Sequence, residues 1–175
     1  MKHIVDYCEK EHVDQMLAYA LACDTRDYLM LRILWRAGLR VSELLNIRPQ
    51  DLEPHNQVLN VIRAKGGRQR RVMLDSETLD FISKYIFDTQ TPPETPIFGI
   101  KQRQVRNIIR KYGKMVGVDI HPHTLRHSFA IHLVRNGVDI RSVQLWLGHA
   151  NLNTTQVYLK FKDDDLREIY NKVDF

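Results

Sequence analysis

The stretch "HPHTLRHSFAIHLVRNGVDIRSVQLWLGH" occupies residues 121–149. Apolar residues recur at helical spacing on both sides of Asn136-Gly137. The stretch therefore reads as two helices, 123–135 and 139–147, closed by Asn136-Gly137 and by Gly148. Its first nine residues set His121, His123 and His127 around Arg126. Two chemistries use such a set. His123 and His127 are four apart, as in some helical metal pairs. Arg126 lies between them, however, and its fixed charge repels a dication, and residues 121–129 hold no Cys, Asp or Glu to complete a ligand set. An anion seated at a helix start, where the dipole favours it, fits these residues better. Neither a metal nor another cofactor is expected.

Upstream, residues 11–22 and 25–37 read as helices, the second carrying Leu29, Leu31, Ile33, Leu34 and Ala37 and stopping at Gly38. "VSELLNI" (41–47) reads as a short helix, capped by Ser42 or the residue before it and ended by Pro49. The period then changes to two. "QVLNVIRA" (57–64) and "RRVML" (70–74) read as strands joined by a turn at "KGGRQ", which makes a β-hairpin. Residues 50–55 add a third short strand. Helical spacing returns over 76–87, with Ser76 and Glu77 as start signals. A Pro- and Thr-rich loop follows at 89–96, then a basic amphipathic helix over 101–116. Beyond His149, a helix capped near Asn153–Thr155 carries Tyr158, and a last helix covers about 164–172. The sum is a mostly helical α+β domain with a small antiparallel sheet.

Bulk properties narrow the function. With 175 residues and 43% hydrophobic content, the chain is long and apolar enough for one packed domain. No apolar run is long enough to span a membrane, and the N-terminus is too charged for a signal peptide. Cys8 and Cys23 form no C-x-x-C pattern and read as reduced thiols of a cytoplasmic protein. Lys and Arg number 26 against 21 Asp and Glu. Two blocks free of acids, "RAKGGRQRR" (63–71) and "KQRQVRNIIRK" (101–111), carry much of that excess. A single such run is an ordinary solvated face. Two of them point to a surface that meets a polyanion, with Arg63, Arg68, Arg70, Arg71, Lys101, Arg103, Arg106 and Arg110 as candidate phosphate contacts.

Six further residues sit where local packing does not explain them. Each also has a plain structural reading. Arg40 can pair with Glu43, Lys65 can solubilise a turn, and His149 can cap a helix C-terminus. Tyr158 can be a core aromatic with its hydroxyl at the rim. His123 and Arg126 share a helical face. Together they are two guanidinium groups, an ammonium, two imidazoles and a phenol. Phosphoryl transfer uses such a set. Arginines neutralise the charge spread over non-bridging oxygens, a tyrosine serves as covalent nucleophile, and a lysine protonates the departing oxygen. The sequence holds no G-x-x-x-x-G-K loop and no carboxylate cluster suited to Mg²⁺.

The segments "AGLRVSELLNI" (37–47), "KGGRQRRVML" (65–74) and "HPHTLRHSFAIHLVRNGVDIRSVQLWLGHANLNTTQVY" (121–158) resemble the tyrosine site-specific recombinases of the phage-integrase and Xer-like group. The similarity covers about 25–175 in order, spacing and context. It implies the catalytic domain of a DNA-breaking and rejoining enzyme acting in DNA recombination and integration, independent of metal. By that resemblance Arg40 and Arg126 grip the scissile phosphate, and His123 and His149 donate to its oxygens or handle the tyrosine's proton. Lys65 protonates the leaving 5′ oxygen, Glu43 supports the site, and Tyr158 attacks to give a 3′-phosphotyrosyl intermediate. The resemblance also implies double-stranded DNA as partner. It implies a homo-oligomer, a tetramer on DNA, formed through the C-terminal segment 161–175, with oligomer and monomer both open in the absence of DNA; packing of that segment on its own domain is the alternative reading. Family members usually carry an N-terminal DNA-clamping domain. Here residues 1–10 read as a linker remnant and 11–175 as the catalytic domain alone.

Two rival readings remain at this point. Residues 124–149 also have the outline of a helix-turn-helix regulator, with Arg141, Ser142 and Gln144 eligible to read bases. A type IB topoisomerase-like enzyme would relax supercoils by the same chemistry.

Overall fold

The computed structural model describes residues 7–62 and 70–148. In chain order these hold α1 (Lys10–Cys23), α2 (Thr25–Ala37), α3 (Val41–Leu44), β1 (Leu52–Glu53), β2 (Val58–Val61), β3 (Arg70–Met73), α4 (Ser76–Thr89), α5 (Gln102–Met115), α6 (Pro122–Arg135) and α7 (Ile140–Leu147). The mostly helical α+β architecture with a small antiparallel sheet is therefore present. Among the described residues no helix is long and apolar enough to cross a membrane.

Helix α2 is the axis of the packing. Ten of its 13 residues are buried, which requires neighbours on nearly every side. Val13, Met16, Leu17 and Ala20 of α1 cover one flank. Leu125, Phe129, Ala130, Ile131 and Val134 of α6 supply another. Val105, Ile109 and Tyr112 of α5 complete the same core. One charge lies inside it. The Arg32 guanidinium donates from Nε to Thr78 Oγ1 at 2.7 Å, from Nη1 to Tyr28 Oη at 2.6 Å, and from Nη2 to Asp75 Oδ1 at 2.9 Å and Glu77 Oε2 at 2.7 Å. A hydrogen bond at every guanidinium nitrogen makes such a buried cation tolerable, and here it ties α2 to the first turn of α4.

The sheet runs β1-β2-β3, all antiparallel. Leu59 sits at its centre, opposite Leu52 on one side and Val72 on the other. The third strand expected over 50–55 shrinks to two residues. Pro49 and Pro54 each start a 3₁₀ turn, one on either side of β1, and a proline cannot donate to a ladder. The hairpin tip, 63–69, lies outside the described residues.

Both ends of α3 and both ends of α4 differ from the sequence reading. The helix expected over 41–47 ends at Leu44, and its N-cap is Arg40 rather than Val41 or Ser42. The Glu43 carboxylate reaches back to accept the Arg40 backbone N–H at 2.8 Å, half of a capping box. Ile47 leaves the helix because its carbonyl accepts from Ile97 N at 2.8 Å. Helix α4 is capped by Asp75, not Ser76, with Asp75 Oδ1 accepting Thr78 N–H at 2.9 Å. That helix runs two residues past the expected Phe87, because Gln90 takes the left-handed conformation that closes it.

Gly38 closes α2 at φ +60°. A Cβ there would overlap Phe129 Cδ1 and meet Leu147 Cδ2 at 2.8 Å. Only glycine lets the end of α2 lie this close to α6 and α7.

Candidate functional site

Next to Gly38 the chain opens a cavity of about 460 Å³. Its walls come from the α2–α3 junction, from α5 and from the first turn of α6. Arg40, Arg106, Arg110, His121, His123 and Arg126 all line it. Pro122 begins α6 with its φ preset, and His121 precedes it as N-cap. The positive end of the α6 dipole thus adds to four guanidinium groups facing one space. A site of this charge suits a phosphodiester.

Arg126 is buried, yet it is oriented by the backbone. Its Nη1 donates to the Gly38 carbonyl and its Nη2 to the Leu147 carbonyl at 2.7 Å. Those oxygens sit at the C-terminal ends of α2 and α7, where helix carbonyls lack intrahelical partners and the dipole is negative. Arg126 Nη1 also lies 3.8 Å from Glu43 Oε2. Arg40, about a third exposed, donates from Nη1 to Glu43 Oε1 at 3.0 Å. The surface pairing of Arg40 with Glu43 considered from sequence is therefore only half a surface feature, because Glu43 is 5% exposed.

Glu43 is held from a third side. Arg70, the first residue of β3, grips it with two parallel bonds, Nη1 to Oε1 at 2.8 Å and Nη2 to Oε2 at 2.9 Å. Arg70 Nε donates to the Trp146 carbonyl at 2.9 Å. Burial alone would raise the Glu43 carboxyl pKa. Hydrogen bonds from Arg70 and the Arg40 backbone, together with the two guanidinium charges, outweigh it and hold the group at about 2.

The structure thus brings together Arg40, Glu43, His123 and Arg126 of the predicted site. Lys65, His149 and Tyr158 lie outside the described residues, as do Arg63, Arg68 and the C-terminal segment 161–175. The predicted phosphate contacts part company. Arg106 and Arg110, four apart on α5, face the cavity. Lys101 and Arg103 are exposed at the start of α5. Arg71 is exposed and paired with Glu53 at 2.9 Å. Arg70 points inward to Glu43 and Trp146, not outward with the basic face. A period-two signal could have found this, because Arg70 shares its strand face with buried Val72. Among the described residues no three His, Cys, Asp or Glu side chains gather as a metal site. The regulator outline maps onto α6 and α7, but the last turn of α7 is engaged in holding Arg126 and Arg70.

A family model described as the phage integrase family matches residues 6–164. The chain is 40% identical over 178 residues to a tyrosine recombinase of Pseudothermotoga lettingae, covering 98% of this chain and 62% of that protein. It is 40% identical over 162 residues to the tyrosine recombinase XerA of Pyrococcus horikoshii, covering 87% of this chain and 56% of that one. A crystal structure of XerA recombinase superposes with a TM-score of 0.84 at 30% identity, covering 100% of this chain and 68% of that one. The chain spans about three fifths of the length of the curated relatives it matches.

Proposed function

The chain belongs to the phage integrase family, and from that premise we propose that it cuts and rejoins double-stranded DNA as a tyrosine recombinase. The observation that carries the reading is the convergence of Arg40 and Arg126 on one cavity at the N-terminus of α6, with a buried carboxylate behind them. The two guanidinium groups hold the non-bridging oxygens of the scissile phosphate and take up the charge of the pentacoordinate transition state. His123, exposed on the first turn of α6, donates to the same phosphate or moves the tyrosine's proton. Tyr158 attacks phosphorus, a 3′-phosphotyrosyl bond forms, and the bond to the 5′ oxygen breaks. Lys65 protonates that oxygen, and His149 donates to the phosphate. Attack by a free 5′-hydroxyl reverses the step and releases Tyr158, so no external energy source is consumed. Arg106 and Arg110 contact neighbouring phosphates, with Lys101 and Arg103 further along the same helix. The protein acts in the cytoplasm, as a tetramer on DNA built through residues 161–175.

The test is to denature the protein in SDS after incubation with fragmented DNA and to sequence the ends that stay attached. Covalent adducts at a defined 3′ end are expected, in EDTA as in its absence. Retardation on a native gel with no adduct would favour a regulator. Relaxation of plasmid without any preferred end would favour a topoisomerase. Tyr158→Phe should keep DNA binding and lose the adduct. Lys65→Ala should slow cleavage by about a hundredfold or more. A substrate with sulfur at the 5′-bridging position should regain most of that loss, because a thiolate departs without a proton.

A further inference from the structure

We propose that Arg70 is a positioning residue for the phosphate-binding arginines: it locks Glu43 and the last turn of α7 together, and through them fixes Arg40 and Arg126. The proposal rests on the reading of the cavity as a DNA-cleavage site. Arg70 spends Nη1 and Nη2 on the two oxygens of Glu43 and Nε on Trp146 O. The same Glu43 oxygens accept the Arg40 backbone N–H and the Arg40 guanidinium. The residue after Trp146 is Leu147, whose carbonyl holds Arg126. Arg70 therefore touches the support of each phosphate-binding arginine and points at neither of them.

The arrangement suits arginine alone. A planar fork meets both carboxylate oxygens while the third nitrogen reaches a helix-end carbonyl. A lysine supplies the charge as a point and lacks the fork. The groups facing Glu43 are Arg40 from the α3 cap, Arg70 from β3 and Arg126 from α6, all permanently cationic. Removing Arg70 leaves a buried carboxylate with weaker pairing, which then competes for Arg40 and takes up a proton more readily. Arg70 also begins β3, directly after residues 63–69 in the chain.

The experiment compares wild type, Arg70→Gln and Arg70→Lys in single-turnover cleavage of a nicked duplex at saturating DNA and pH 7. The duplex carries the end identified by adduct sequencing. A ¹³C-detected carboxyl titration of Glu43 accompanies it in the protein without DNA. Arg70→Gln should cleave about tenfold to a hundredfold more slowly, with the Glu43 titration moved up from that of wild type. Arg70→Lys should return the titration most of the way to wild type and leave a slower rate, separating charge from geometry. If Arg70→Gln does not fold, Arg70→Lys decides the matter through its rate. Wild-type rates in the folded variants, or a Glu43 titration that does not move, would overturn the proposal. If wild-type protein forms no adduct at all, the cleavage reading fails, and the titration still decides whether Arg70 governs Glu43.

Discussion

At the scale of single residues, Gly38 joins fold and site in one position. Its left-handed backbone ends α2, its missing side chain admits Phe129 and Leu147, and its carbonyl orients Arg126. Gly38→Ala meets both a strained φ, worth about 1–2 kcal/mol, and an overpacked contact, worth about 1–3 kcal/mol. The urea midpoint should fall accordingly with an unchanged slope. Gly117 also has positive φ, at +78°, but a Cβ there meets nothing within 4 Å. Gly117→Ala should show the backbone cost alone, so a pair of variants separates strain from crowding. The two cysteines make a second residue-scale contrast. Cys23 is exposed, whereas Cys8 is buried and its backbone N–H donates to Ser128 Oγ at 2.6 Å. Burial, with a smaller contribution from the Glu9 charge, pushes the Cys8 thiol up to about 11. A disulfide reagent at pH 8 should titrate Cys23 quickly in the native protein and Cys8 only on unfolding.

At the scale of elements, α5 is a helix with two jobs. Val105, Ile109 and Tyr112 bury one side, while Arg106 and Arg110 face the cavity. If both arginines contact phosphates, Arg106→Gln with Arg110→Gln should flatten the dependence of log affinity on log salt by about 2. Fluorescence anisotropy across a salt series checks this, and a slope equal to wild type removes α5 from the interface. Such an amphipathic helix is legible from sequence, because its apolar stripe and its charges both follow the helical period. The paired strands β2 and β3 and the Gly-ended pair α6–α7 are legible for the same local reason. The ion pair that turns Arg70 inward is not legible in the sequence. The strand period places Arg70 on the face of Val72, but its partners lie 27 and 76 residues away in the chain and no local pattern names them. The helix starts at Arg40 and Asp75 were missed because each depends on a side-chain bond competing with its neighbours. Asp75, for instance, serves α4 and Arg32 at once.

At the scale of the whole molecule, two carboxylate–arginine hubs join elements distant in sequence. Asp75 links α4 to Arg32 of α2, and Glu43 links α3 to Arg70 of β3. Burial pushes both carboxyls up, and hydrogen bonds and nearby guanidinium charge more than reverse it, leaving each at about 2. Their ordinary values are 4.5 for Glu43 and 3.8 for Asp75. Both are depressed on folding, so the unfolded chain binds protons first as pH falls. The stability they contribute is fully present above about pH 5 and is lost between the ordinary values and about 2. The melting temperature should therefore hold nearly level from pH 8 to 5 and drop through this window. Glu43→Gln with Asp75→Asn should melt lower than wild type at pH 7, because neutral amides pair less strongly with the arginines. Its curve should also lose much of the acid drop, since neither position can then take up a proton. Calorimetric scans at closely spaced pH values decide it. A double variant that falls as steeply as wild type between pH 4.5 and 2 would place the acid sensitivity in other carboxylates and deny these two hubs their part in holding the elements together.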